Sequence, residues 1–334
     1  MENSINRIMV TTILKNAIHD LKSDPERTVR NLVDMALQFA DSRFQQEFYS
    51  GAQSLLTNEN SAYYSLIKET ISHVNQETLL TFGMNLGYSG IYEGTGKIRS
   101  QETYCVPWTI SMTLAEGKLY QQHHDTVEAG EIMGIHCWHL YSKNSIHECV
   151  ALASRHPESA FVIFCGAQEI DWSVLDYLEE IPNIAIMVPF DKDADVVCDM
   201  LRACGILYGL YDTYTEADLD AIESGNLLHD MEQLHPVFSI LMPRFPCQLT
   251  LRSRVWEWAK KARLLQEFKT IPWELYGDTL LIDGVISNEP HWVGFDEYGQ
   301  LNTETGVDRT HGRNIFVSSL PEILHRAFPK QKGT

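Results

Sequence analysis

The chain has 334 residues, of which 26 are Lys or Arg and 45 are Asp or Glu, so its formal net charge is −19. This length suits about two domains, or one barrel with an appendage, and a hydrophobic content of 44% is sufficient for a large core. The acidic balance argues against nucleic acid and anionic membranes as main partners, because both attract clustered Lys and Arg.

Seven cysteines are scattered along the chain without C-x-x-C spacing, which predicts a reduced, intracellular protein. The N-terminal residues mix charged and polar side chains, unlike the apolar run of a signal peptide. No segment reaches the roughly 18 apolar residues of a membrane helix. We therefore expect a cytoplasmic protein.

Residues 1–75 are predicted to form a small helical domain. Apolar residues recur at helical spacing over 13–21, over 29–37 and near 62–74. Asp24 and Pro25 are typical of an N-cap and a first helical position, so a helix is expected to begin there.

After residue 106 the pattern changes to short apolar runs, which alternate with amphipathic stretches. Successive runs from 135 onward begin roughly 22–30 residues apart, a distance that accommodates a strand, a helix and two loops. The pattern predicts six βα units with a parallel sheet, either open or closed into an incomplete barrel. The runs cover 107–114, 135–141, 160–164, 184–188, 206–211 and 236–242.

The C-terminal part is predicted to begin with a long helix over about 249–268. Strands are expected at 278–287 and 291–303, with turns at Asp283-Gly284 and Tyr298-Gly299. A polar loop over 304–314 and a last helix over 321–328 complete the prediction.

Five segments, taken in order, resemble one group of radical SAM proteins. They are FGMNLGYSG (82–90), CVPWTISMT (105–113), EAGEIMGIHCWHLY (128–141), HPESAFVIFCG (156–166) and VGFDEYGQLNT (293–303). The resemblance implies an α/β fold: a parallel (β/α)6 partial TIM barrel with an N-terminal helical domain and a C-terminal β-hairpin and helix extension. The implied division is 1–104 for the helical domain and connector, 105–268 for the barrel and 269–334 for the extension.

The residues that carry the chemistry of that group are absent. Its members place C-x3-C-x2-C after the first strand, where three thiolates hold a [4Fe–4S] cluster. The corresponding stretch here, LAEGKLYQQHHD (114–125), has no cysteine. Ser142-Lys143-Asn144 replaces the Gly-Gly-Glu that helps bind S-adenosylmethionine, and Thr303 replaces a hairpin cysteine. We expect no [4Fe–4S] cluster, no other cofactor and no saturable binding of S-adenosylmethionine.

The remaining cysteines and histidines admit structural and chemical interpretations. No two of Cys105, Cys137 and Cys165 are expected to bind the same metal ion. His123 and His124 are weak metal candidates, since adjacent helical side chains point about 100° apart. Cys137 and His139 share a strand face and suit either nucleophilic chemistry or core packing. Cys198 and Cys204 are interpreted as small core residues.

Polar residues at the carboxyl ends of the predicted strands are the candidate ligand-binding set, because α/β folds bind ligands there. The set suits either an anionic ligand or a ring of mutually neutralising charges; we assign no catalytic residue. Its members are Tyr141, Lys143, Asp191, Tyr211, Asp212 and Arg244, with Cys165 nearby.

The segment from Asp212 to Glu232 holds seven acidic residues and no Lys or Arg. It is either a solvated helical face or a docking surface for a basic protein or peptide. Basic residues follow on the next predicted helix and suit pairing with this segment or with a partner: Arg252, Arg254, Lys260, Lys261 and Arg263.

Three hypotheses of function follow. The first is a catalytically inactive radical-SAM-like protein that binds or regulates, for example as a partner subunit in peptide or protein modification. The second is an enzyme with non-radical chemistry that uses Cys137, His139, Lys143, Asp191 or Arg244. The third is an atypical radical SAM enzyme, which the cysteine spacing disfavours.

Overall fold

The structure is a computed structural model that describes residues 2–21, 23–38, 43–58, 60–101 and 103–330. The first part of the chain is helical, as predicted, and the described residues before 76 contain no strand. Asp24 caps a helix that begins at Pro25 and accepts the Arg27 N–H at 3.1 Å. The helices are α1 (Glu2–Leu21), α2 (Pro25–Gln38), α3 (Arg43–Leu55), α4 (Ala62–His73), α5 (Gln76–Gly83), a π-helix (Met84–Glu93) and α6 (Gly94–Arg99).

The second part alternates strands with helices. All six predicted strands are present, so an α/β protein with mostly parallel pairing is confirmed. The elements are β1 (Thr109–Ala115), α7 (Gln121–Met133), β2 (Cys137–Lys143), α8 (Ile146–Ser154), β3 (Ala160–Phe164), α9 (Trp172–Leu178), β4 (Ile184–Pro189), α10 (Ala194–Ala203), β5 (Tyr208–Tyr214), α11 (Leu219–Glu223), α12 (Asn226–Glu232), β6 (Phe238–Pro243), α13 (Leu249–Leu265), β7 (Ile271–Glu274), α14 (Leu275–Ser287), β8 (Gly294–Phe295), β9 (Leu301–Thr303), β10 (Gly306–Asp308) and α15 (Leu320–Ala327).

The chain forms two compact units. Unit 1 comprises residues 1–80 and 198–275, and its strands lie in the order β5-β6-β7, all parallel. Unit 2 comprises residues 81–197 and 276–334, and its strands lie in the order β10-β9-β8-β1-β2-β3-β4. In unit 2, the neighbouring strands β8, β1, β2, β3 and β4 pair in parallel, whereas β9 pairs antiparallel with both β8 and β10. The three-part division of the sequence stays a prediction.

The predicted strand over 278–287 is wrong, because this segment is the helix α14. The helix buries polar Asp278 and Asp283, whereas Leu281 and Val285 are 46% and 37% exposed. This mixture of buried polar and exposed apolar residues hides the helical period, and a short apolar run does not by itself distinguish a strand from a helix. The predicted turn at Asp283-Gly284 is wrong for the same reason.

Two further differences concern short strands. The prediction missed β7, whose four residues include Pro272 and carry little alternation. It also assigned β10 to a loop, because the three residues of this strand are polar or exposed. The turn at Gly299, which has a φ of 74°, and the last helix are confirmed.

Asn85, in the segment that carries the first part of the resemblance, has a structural role in unit 2. It lies in the π-helix, is 1% exposed, and its Nδ2 donates to the carbonyls of Pro157 at 2.8 Å and Ser159 at 3.0 Å. These bonds attach the π-helix to the loop before β3, and they satisfy carbonyls that burial would otherwise leave unpaired.

Over the described residues, no helix combines the length and the apolar character that crossing a bilayer requires.

Candidate binding site at the strand ends

In unit 2, the strand-end residues Tyr141, Lys143 and Asp191 have separate partners. The Tyr141 ring stacks on Phe164 with 4.8 Å between centroids. The Lys143 Nζ pairs with the Glu297 carboxylate at 2.6 Å, and this pairing lowers the pKa of Glu297. Asp191 is exposed and accepts the Asp193 N–H at 3.0 Å, a local turn bond.

Sequence reasoning missed Glu297. It follows β8 in the predicted hairpin, and only its distance from Lys143 in space identifies it as a partner. In the sequence, Glu297 is marked only as an acidic residue beside a turn, and such residues are too common to indicate a site. The ion pair is in part exposed, so its contribution to stability is modest.

A hydrogen-bond network built on Glu169 connects the loops after β2 and β3. Glu169 accepts the Ser142 hydroxyl, the Ser145 N–H at 3.0 Å and the Gly166 N–H at 2.9 Å. The Ser145 hydroxyl in turn donates to the Leu114 carbonyl at 2.9 Å, at the end of β1. Ser142, which replaces the first glycine of the expected Gly-Gly-Glu, is therefore engaged in bonds within the protein.

Cys137 and His139 lie on one face of β2, as predicted, but both are buried. Burial raises the pKa of the Cys137 thiol to about 12 and lowers the pKa of His139 to about 4. Burial also raises the pKa of Cys165 well above its usual value, and the Glu169 carboxylate adds to this effect. These thiols are protonated at neutral pH, which disfavours nucleophilic chemistry at this face.

His123 and His124 begin α7 with different partners. The His123 Nδ1 accepts the Tyr120 N–H at 3.0 Å, and burial lowers the pKa of this ring to about 4. The His124 Nδ1 lies 3.3 Å from the His156 Nε2, and His156 contacts Glu131 at 3.4 Å. The two adjacent rings are thus engaged in separate contacts.

The described cysteines do not converge on a single metal ion. Among the described residues, the one group of three or more His, Cys, Asp and Glu side chains with metal-ligand spacing contains a single cysteine. All seven cysteines are free thiols, and five of them are buried. No three thiols of the described residues therefore share one metal ion.

In unit 1, the strand ends of β5 and β6 form an open pocket of about 280 Å³. The predicted site residue Arg244 lies at this pocket, and its Nη2 donates to the Thr213 hydroxyl at 3.0 Å. No carboxylate of the described residues forms an ion pair with Arg244. The lining includes Thr215, Leu219, Arg244, Cys247, Leu251 and Arg254.

Two apolar side chains that neighbour pocket-lining residues in the sequence are exposed. Phe245 is 62% exposed and Leu249 is 67% exposed. Tyr211 and Asp212, the other predicted site residues of unit 1, are half-buried on β5. Burial raises the pKa of Asp212, while Arg244 acts in the opposite direction. The pocket therefore combines an arginine with an apolar margin.

Part of the acidic segment Asp212–Glu232 is used within unit 1. Asp218 caps the turn at Thr215, accepting its N–H at 2.8 Å. Glu223 forms a two-pronged ion pair with Arg254, at 2.5 and 2.6 Å. Glu232 accepts the Lys269 N–H at 2.7 Å. Pairing of the segment with the basic helix, one of the two predicted alternatives, is thus present at Arg254.

Comparisons with known proteins find only distant structural similarity. No protein-family model matches the chain, and no curated protein matches it. Among solved structures, SuiB of Streptococcus suis is 10% identical over 80% of this chain and 71% of that chain, with a TM-score of 0.42. SuiB bound to S-adenosylmethionine is 11% identical over 87% and 77%, with a TM-score of 0.44. SuiB bound to precursor peptide SuiA is 11% identical over 87% and 78%, with a TM-score of 0.46. Because the sequence identities are this low and the TM-scores lie below 0.5, the ligands of SuiB are not assigned to this chain.

Proposed function

We propose that this chain is a peptide-binding protein on a radical-SAM-like (β/α)6 scaffold, and that it works without an iron–sulfur cluster. The observation that carries the proposal is the pocket in unit 1, where Arg244 retains a hydroxyl as its side-chain partner beside exposed Phe245 and Leu249. An arginine recognises a carboxylate through paired N–H groups, and exposed apolar residues recognise an apolar neighbour. The expected ligand is a peptide segment with an acidic residue beside an apolar one.

The test uses two labelled peptides, one of alternating glutamate and leucine and one of alternating lysine and leucine. We expect saturable binding of the acidic peptide in fluorescence anisotropy. Replacing Arg244 with Gln is expected to weaken this binding by roughly tenfold or more, because a hydrogen bond to a charged group contributes about 1.5–3 kcal/mol and about 1.4 kcal/mol is tenfold.

Arg155→Gln is the matched control, since Arg155 is an exposed arginine after α8 in unit 2. It should bind the acidic peptide as the wild type does. Equal binding by Arg244→Gln and the wild type would contradict the proposal. Preference for the lysine peptide would instead favour docking on the acidic segment Asp212–Glu232.

The absence of a cluster is tested separately. After anaerobic reconstitution with iron and sulfide, we expect the chain to retain far less iron than four atoms per molecule, because a [4Fe–4S] cluster needs converging thiolates. Iron analysis after desalting is the measurement. Stoichiometric iron with cluster absorbance would overturn the inactive interpretation and return the atypical radical SAM hypothesis.

A catalytic alternative at Cys137 and His139 finds less support. A thiol with a pKa of about 12 is almost fully protonated at neutral pH, because burial outweighs the opposing hydrogen bond from Thr109. The pocket in unit 1 is the better basis for a function.

A further inference from the structure

Three side chains of unit 2 converge outside the strand ends. The Cys105 thiol donates to the Glu289 Oε2 at 3.4 Å, and the His291 Nε2 lies 3.7 Å from the same oxygen. The ligand atoms of these three residues all lie within 4.8 Å of one another. Cys105 precedes β1, and the other two residues lie between α14 and β8.

The backbone around these side chains is fixed by buried bonds. Asp283, which is 1% exposed, accepts the His291 N–H at 2.8 Å and the Trp108 N–H at 2.5 Å. The Ser287 hydroxyl donates to the Glu289 carbonyl at 2.7 Å. The loop after α14 and the segment before β1 are therefore held by one carboxylate, which positions both sides of the group before any ligand arrives.

Phe328, which follows α15, holds both Cys105 and the His291 ring in place. The Cys105 N–H donates to the Phe328 carbonyl at 2.8 Å, and the His291 ring packs on the Phe328 ring at 4.7 Å. Cys105 is 1% exposed, whereas the Glu289 side chain is 50% exposed. The group is thus rigid on its inner side and reachable from solvent through Glu289.

The polar atoms of this group are incompletely satisfied. The His291 Nε2 is buried and has no hydrogen-bond partner, which is uncommon for a buried nitrogen. Burial and the adjacent Glu289 raise the pKa of the Cys105 thiol to about 11, while Lys330 acts in the opposite direction. A thiol at this pKa is a poor nucleophile, so a cysteine–histidine catalytic pair is disfavoured.

The distances suit a tetrahedral ion. Zn²⁺ bonds measure about 2.3 Å to sulfur, about 2.0 Å to nitrogen and about 2.1 Å to oxygen, so ligand atoms around one ion lie roughly 3.4–3.6 Å apart. The Cys105–Glu289 and His291–Glu289 separations in the structure, 3.4 and 3.7 Å, are close to these values. The hard cations Mg²⁺ and Ca²⁺ prefer oxygen alone, and a sulfur, nitrogen and oxygen set favours zinc.

We propose that Cys105, Glu289 and His291 bind one Zn²⁺ ion, with solvent at the fourth position. Binding replaces the thiol proton of Cys105 with the metal, forms the Zn–S bond and releases that proton to solvent. The ion also takes the unpartnered His291 nitrogen as a ligand. This site is independent of peptide binding in unit 1, so either proposal stands if the other fails.

Titration of the full chain with zinc chloride, after treatment with a chelator and desalting, tests the proposal. Calorimetry is expected to give one Zn²⁺ per chain. Cys105→Ser is expected to weaken binding by more than about 100-fold, because even the loss of an outer-shell partner costs 10–100-fold. Cys204→Ser is the matched control: this partly exposed thiol lies outside the group, and its variant should bind as the wild type does.

Cobalt supplies a second readout. Co²⁺ should give thiolate-to-metal absorbance in the wild type and in Cys204→Ser, and none in Cys105→Ser. If Cys105→Ser fails to fold, Glu289→Gln serves, since Glu289 is exposed and its loss removes one ligand without opening the core. Absence of zinc binding at micromolar concentration, or unchanged binding in both Cys105→Ser and Glu289→Gln, would overturn the proposal.

Discussion

Acidification from about pH 6.5 to pH 4 should destabilise the protein through His139, by about 3 kcal/mol in the free energy of unfolding. His139 is 7% exposed, packs edge-on against Phe164 and has an unpartnered Nδ1. Burial lowers its pKa to about 4, whereas an unfolded histidine has a pKa of about 6.5. Each pH unit between these values corresponds to about 1.4 kcal/mol.

The sign follows from the lowered pKa. Between pH 6.5 and 4 the unfolded chain binds a proton at His139 that the folded chain does not, so stability falls as the pH falls. The contribution is fully present above about pH 6.5 and lost as the pH approaches 4. Three further histidines, His123, His124 and His136, have pKa values lowered by burial and act in the same direction.

Urea unfolding of the wild type and of His139→Gln between pH 7.5 and 4.5 measures this contribution. The variant lacks the titrating ring, so its stability should decline less steeply, by about one proton in the linkage slope. Above pH 7 the two curves should run parallel, which separates a packing cost from the titration. Identical slopes below pH 6.5 would contradict the prediction.

The sequence was most informative where pattern and burial agree. The six strands from β1 to β6 have apolar cores of β-branched and aromatic residues, and their spacing predicted the parallel pairing. The prediction failed at α14, which buries polar Asp278 and Asp283 together with apolar Ile286 and exposes Leu281 and Val285. Hydrophobic periodicity assumes that apolar side chains are buried, and α14 departs from that assumption at Leu281 and Val285.

The candidate sites were predictable to a smaller degree. Arg244 was identified because it follows a strand, but its pocket depends on Cys247 and Arg254, which the linear pattern does not place beside it. Glu289 and His291 are far from Cys105 in sequence, so only the fold brings them together. Residues with long-range partners carry no local signal, and this limits any inference from spacing alone.

Replacing Glu169 with Ala should destabilise unit 2 by about 3 kcal/mol. The carboxylate accepts the Ser142 hydroxyl and the N–H groups of Ser145 and Gly166. Hydrogen bonds to a charged group contribute about 1.5–3 kcal/mol each, and water replaces part of them because Glu169 is only half-buried. Ser145 is 1% exposed, and its N–H keeps the Ser142 hydroxyl oxygen, at 2.9 Å, as a second acceptor.

Two variants make this measurement specific. Glu169→Gln keeps one acceptor oxygen but turns an amide N–H toward a donor, so it should lose about half as much stability as Glu169→Ala. Glu180→Ala, at an exposed glutamate after α9, should be nearly neutral. Urea unfolding of the four proteins at pH 7.5 gives the comparison.

The outcome bears on how this chain uses its strand ends. If Glu169→Ala loses the expected stability, the segment around Ser142 is engaged in holding β1, β2 and β3 together, and its hydroxyl and N–H groups are unavailable to a ligand. If Glu169→Ala is as stable as Glu180→Ala, the network adds no stability, and the Ser142 hydroxyl is available to a ligand at this edge. The second result would favour a binding site at the carboxyl ends of β1, β2 and β3 over the pocket at Arg244.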